Sequence, residues 1–178
     1  MSFHQNIVSR FSAKTLVLSA VAFTTMSSFE APRLATPDFS GEWKLNETKS
    51  ELGQFGARMA SRTMKITLEN EGFNFEKAGS NPQGEALTMK DRLTFDGKET
   101  ESTVFGNTKK KSTAKWAEDG QTLNVNSVIL LEMNGESTEI KLTETYKLSS
   151  DGQSLVLDSK SSSSFGENAM KLVYEKAK

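Results

Sequence analysis

Turn signals recur along this chain at short, near-regular spacing, and they constrain its fold more than any other feature. Glu71-Gly72, Asn81-Pro82 with Gly84, Asp96-Gly97, Asp119-Gly120, Asn134-Gly135 and Asp151-Gly152 each interrupt a run of alternating residues. Asp-Gly and Asn-Gly pairs between such runs predict hairpins with type I′ turns, which need positive φ at both central residues. Between the turns, apolar residues alternate with polar ones at period two, the pattern of a strand with one buried face. Met64, Ile66 and Leu68 alternate with Thr63, Lys65, Thr67 and Glu69. Leu87, Met89, Leu93 and Phe95 share one face, and Thr88, Lys90, Arg92 and Thr94 take the other. Phe73 and Phe75, Ala114 and Trp116, Leu123 and Val125, Ile140, Leu142, Tyr146 and Leu148 continue the apolar face.

The pattern predicts about ten strands: 39–45, 61–69, 72–78, 86–95, 98–104, 108–117, 121–132, 136–148, 153–161 and 169–176. No segment has a helical apolar period; the best candidate, Glu47–Met59, fits a short turn or 3₁₀ piece. Without long crossovers, neighbours in sequence should pair as antiparallel hairpins. A meander this long must hide its edges, and closure into an up-and-down barrel does so best. A two-sheet sandwich is the alternative. The expectation is therefore an all-β, antiparallel up-and-down meander closed into a barrel of about 8–10 strands, a single domain over 38–176.

Residues 1–30 have the composition of a secretory signal peptide. Arg10 and Lys14 precede an uncharged, mostly apolar run, Thr15 to Met26, followed by Ser27 and Ser28. That run is shorter than the ~20 residues a spanning helix needs, and no cysteine follows it to accept a lipid. Cleavage is expected between Thr24 and Ala35, leaving a periplasmic or secreted protein with no stable membrane anchor. Cleavage before Glu30 removes Arg10 and Lys14 and no acid, leaving 20 of the 22 basic residues against 23 acids, a net charge of −3. The lone histidine, His4, goes with the leader, and the chain has no cysteine. A mature protein of this composition has no disulfide framework, thiolate nucleophile, histidine-ligated metal or haem, or His-based triad. Near-zero charge leaves no clustered basic face for nucleic acid. No cofactor is expected, and the protein is expected to be a monomer.

The stretch Asp38-Phe39-Ser40-Gly41-Glu42-Trp43-Lys44-Leu45, with Asn46-Glu47-Thr48-Lys49-Ser50 after it, resembles the opening of small exported bacterial lipocalin-like proteins of the calycin type. Ser112-Thr113-Ala114-Lys115-Trp116 and the ending Lys171-Leu172-Val173-Tyr174-Glu175-Lys176 are similar to the same group. The resemblance implies a barrel whose closed end is sealed by Gly41 and Trp43; many lipocalins cover the Trp ring with an Arg near the last strand, and this chain departs from that, having only lysines there. Lys171 and Lys176 are the candidates. It also implies a ligand-binding habit, without naming a ligand.

Two acids interrupt apolar faces: Asp91 between Met89 and Leu93, and Glu144 between Leu142 and Tyr146. Unbroken alternation points both inward, where a carboxylate is costly unless paired. Such an acid could hold a ligand's amine or hydroxyl, or act as a general base. Alternatively, each meets an internal Lys, Arg or Thr, lies at a wet barrel mouth, or is flipped outward by a bulge. Thr100, Ser102, Ser112 and Ser127 fall on the same inward faces, suiting a cavity with a few placed polar groups. Phe73, Phe75, Met89, Asp91, Thr100, Ser102, Trp116, Glu144 and Tyr146 are thus the candidate interior lining. Lys109-Lys110-Lys111 reads as a solvated basic tip. The function expected is binding or transport of a small apolar or amphipathic ligand inside the barrel. The alternatives are a carboxylate-dependent isomerase or hydrolase, whose catalytic acid would sit in a closed pocket with a raised pKa, and a structural or protein-binding module with a filled core.

Overall fold

The computed structural model describes residues 36–54, 56–80, 84–133 and 135–177. The expected leader, His4 and the Asn81-Pro82 turn lie outside them, as does Asn134. Ten strands follow in chain order: β1 Gly41–Leu45, β2 Thr63–Glu69, β3 Gly72–Ser80, β4 Ala86–Thr94, β5 Thr100–Thr103, β6 Lys109–Trp116, β7 Thr122–Met133, β8 Glu136–Leu148, β9 Ser154–Ser163 and β10 Gly166–Lys176. They form one antiparallel sheet in the order β4-β3-β2-β1-β10-β9-β8-β7-β6-β5. Every hydrogen-bonded neighbour is a neighbour in sequence except β1 and β10, which join Trp43 to Lys176 and Leu45 to Tyr174. The edge strands β4 and β5 face one another without a ladder between them. This is the up-and-down, lipocalin-like barrel expected, with a single seam. The interval after β1 holds two 3₁₀ turns, Glu47–Lys49 and Gly56–Met59. Asn46 caps the first by accepting from the Thr48 and Lys49 amides.

Two turn expectations are corrected. The β2–β3 turn is Asn70-Glu71, not Glu71-Gly72: Glu69 pairs with Gly72, and Asn70 takes the left-handed conformation (φ 51°). Gly72 belongs to β3, where a Cβ would collide with the Leu93 carbonyl oxygen of β4. At Asp96-Gly97, Asp119-Gly120 and Asp151-Gly152 only the glycine has positive φ, so these are not type I′ turns. The aspartate serves as a local cap instead. The Asp119 carboxylate accepts from the Gln121 and Thr122 amides, and Asp151 accepts from the Gln153 amide.

One end of the barrel is plugged. Trp43 is buried, and its indole N–H donates to the Phe39 carbonyl at 2.9 Å. Phe39 stacks on Phe73 (centroids 5.4 Å apart), while Phe95 and Trp116 close around them at 5.0 to 6.4 Å. Lys176 Nζ lies 5.6 Å above the Trp43 ring, so this lysine takes the covering position. Gly41 (φ 139°) passes beneath, where a Cβ would press on the Lys176 side chain at 3.2 Å.

Candidate functional site

Beyond this aromatic layer the inward face changes character strand by strand. On β3 the series Phe73, Phe75 continues to Lys77; on β4, Leu93 gives way to Asp91; on β6, Ala114 and Ser112 lead to Lys110; on β8, Tyr146 leads to Glu144. All four charged side chains are buried. Both acids therefore point inward, and each meets an internal lysine. Lys77 Nζ donates to Glu144 Oε1 at 3.2 Å and to the Tyr146 hydroxyl at 2.7 Å, and that hydroxyl donates to Glu144 Oε1 at 3.0 Å. Lys110 Nζ is in close contact with Asp91 Oδ2, and the Ser102 hydroxyl donates to Asp91 Oδ1 at 2.6 Å. Asp91 on β4 thus clasps β5 and β6 across the seam that has no ladder.

The two lysines were missed in the sequence because lysine ordinarily marks a solvated face. Position in the alternation would have found them: Lys77 continues Phe73 and Phe75, and Lys110 precedes Ser112 and Ala114. The expected basic tip is corrected accordingly. Only Lys109 and Lys111 point outward, and they pair with Glu101 (3.1 Å) and Glu99 (2.9 Å). These exposed pairs contribute little to stability.

The electrostatics follow from this pairing. Burial pushes the Glu144 carboxyl up, but Lys77 and Lys110 outweigh it and hold it below its ordinary value. Asp91 is likewise pushed up by burial and brought below its ordinary value by Lys77 and Lys110. Burial pulls the Lys77 ammonium down, and Glu144, Tyr146 and Asp91 together hold it well above. Burial and Glu144 push the Tyr146 hydroxyl far up. A general base acting near neutrality needs a raised carboxyl pKa; these two carboxyls are shifted the other way.

Above the charged layer lies a cavity of about 240 Å³. Met64, Met89, Ile140, Leu142, Met170 and Leu172 supply apolar wall, while Lys77, Asp91, Lys110 and Glu144 form its polar base. Met59 and Phe105 also line it, and both are exposed. Ser159, Ser161 and Asn168 add uncharged polar groups, and the Asn168 carboxamide oxygen is buried without a hydrogen-bond partner. A larger concavity of about 450 Å³ is lined by outward-facing Lys65, Glu76, Lys90, Arg92 and Glu101 and reaches Asp91 and Ser102 at the seam. It is open and walled by charged side chains, which suits solvent better than an apolar ligand.

Of the candidate lining residues, Met89, Asp91 and Glu144 border the cavity. Phe73, Phe75, Trp116 and Tyr146 face inward but pack in the solid half. Thr100 and Ser102 are half-buried near the seam; Thr100 donates to the Ser112 carbonyl, and the Ser112 and Ser127 hydroxyls bond each other at 2.8 Å. Gly41 and Trp43 seal the closed end. Among the described residues no group of three or more His, Cys, Asp or Glu is placed to hold a metal ion. No helix among them is long and apolar enough to cross a membrane.

No family model matches the chain, and no curated protein matches it. Among solved structures it is similar to the zebrafish ileal bile acid-binding protein complexed with cholic acid, at 16% identity over 78% of this chain and 98% of that chain, with a TM-score of 0.48.

Proposed function

We propose that this protein is an exported, lipocalin-like carrier that takes a small amphipathic ligand into the open half of its barrel. The observation that carries the reading is the cavity itself, whose apolar walls end on a polar base. Ligand sites share this composition, apolar lining with a few placed polar groups. The volume is slightly below the ~300–1,000 Å³ of common ligand sites, so the ligand is small, or only part of it enters. Binding would come from burial of apolar ligand surface, at roughly 25 cal/mol per Å². Export is supported by Arg10 and Lys14 ahead of the apolar run Thr15 to Met26, and periplasmic or secreted location follows from it.

The test is titration of the full chain with the uncharged fluorophore N-phenyl-1-naphthylamine. Saturable binding to one site is expected, lost when Met89→Trp fills the cavity while thermal unfolding stays cooperative. No saturable binding, or binding indifferent to Met89→Trp, would overturn the reading. The intact mass of the protein recovered from its source should correspond to cleavage between Thr24 and Ala35; a full-length mass would overturn export.

A further inference from the structure

The base of the cavity is charged, yet its charges are spent on one another. Two lysines and two acids carry formal charges that cancel. Glu144 Oε1 takes both Lys77 and Tyr146, and Asp91 takes Lys110 on one oxygen and Ser102 on the other. A ligand carboxylate entering here would bring a third negative charge beside Asp91 and Glu144, with no unpaired cation to meet it. A ligand amine would meet Lys77 and Lys110, which already hold the carboxylates. Either would lose its hydration with no unpaired opposite charge to offset it, and burying an unbalanced charge is among the largest costs in a protein interior. An uncharged polar group faces no such cost. The Lys77 and Lys110 ammonium groups have donor hydrogens beyond those used, since each ammonium has three. On the cavity wall, Ser159 and Ser161 add uncharged hydroxyls that can exchange hydrogen bonds with such a group.

We infer that the site selects uncharged amphiphiles, an apolar body bearing a hydroxyl or amide, and rejects both fatty carboxylates and alkylammonium ions. This rests on the binding role proposed above and names the ligand class for it. The inward acids had suggested an amine or a hydroxyl as the group to be held; the two buried lysines remove the amine.

The experiment is displacement of N-phenyl-1-naphthylamine from the full chain at pH 7.5 by three probes of equal chain length: 1-octanol, octanoate and octylammonium. Octanol is expected to displace at least ten-fold more effectively than either ion. Octanoate or octylammonium displacing as well as octanol would overturn the selectivity and leave the carrier role standing. Failure of the fluorophore itself to bind would overturn the carrier role, and the selectivity with it. Glu144→Gln leaves the base with one excess positive charge and should raise octanoate affinity relative to octanol at least ten-fold. Octanoate affinity unmoved relative to octanol in a cooperatively folded Glu144→Gln protein would count against charge balance as the filter. Should that variant not fold, the three-probe comparison on the natural sequence decides alone.

Discussion

At the closed end, Phe39, Phe73, Phe95 and Trp116 fill the barrel with rings 5.0 to 6.4 Å apart. Further along the same strands, equivalent inward positions hold Lys77, Asp91 and Lys110, with Glu144 beside them on β8. The two halves share backbone, register and neighbours, and differ only in which side chains the alternation delivers inside. The packed half excludes water by volume. The charged half holds its shape through paired groups that are stable only as a set, and leaves room above them. Stability should therefore be sensitive to size in one half and to charge balance in the other.

That contrast is most directly broken by Phe73→Ala, which should cost about 3–5 kcal/mol in urea unfolding, as large core truncations do. The cost should be the same at pH 3.5 and pH 7; a pH-dependent cost would mean that the two halves are coupled. In the charged half, Glu144→Gln leaves Lys77 without its carboxylate and should cost about 3 kcal/mol. The double change Lys77→Met with Glu144→Leu should cost less than either single change, because it removes the pair together. Additive costs would show that the charges do not act as a set.

Acid should act on one half alone. Asp91 and Glu144 have lowered pKa values in the folded protein. Their contribution is present above the ordinary carboxylate range near ~4 and is lost as pH falls below it. Lys77 is raised, so its contribution is present below its ordinary value near ~10.5 and is lost as pH rises beyond it. Melting temperatures across pH should show this plateau, with a shallower acid limb in Glu144→Gln. An unchanged acid limb would remove the cluster from the account. The smallest effect belongs to the seal: Lys176→Met, which takes the cation from above Trp43, should cost about 0.5–1 kcal/mol in thermal unfolding. A larger loss would mean that Lys176 also supports the backbone at Gly41.

The strand count, the order of the strands and the inward direction of Asp91 and Glu144 were legible because each depends on local alternation alone. The β2–β3 turn was not, because Asn70 supplies the positive φ that the neighbouring glycine suggested. Lys77 and Lys110 were not, because their partners lie far along the chain. Glu144 is 67 residues from Lys77, and Asp91 meets Lys110 across a seam that no hydrogen-bond pattern announces. The division between packed and open halves was not legible either. It depends on how much side-chain volume several strands bring to one level of the barrel, a sum that no single segment contains.

The pairing of β1 with β10 places the two ends of the barrel chain side by side, and the Ala177 amide donates to the Glu42 carbonyl at 2.7 Å. The seam between β4 and β5 is therefore the one place where the cycle of strands can be cut without losing a ladder. A circularly permuted chain, with residue 177 linked to the segment before β1 and new termini in the 95–99 connection, would begin at β5 and end at β4. Its order in sequence would then be its order in space throughout. The present arrangement brings its first and last strands together across nearly the whole chain, whereas the permuted one would need only local hairpins, the topology associated with faster folding.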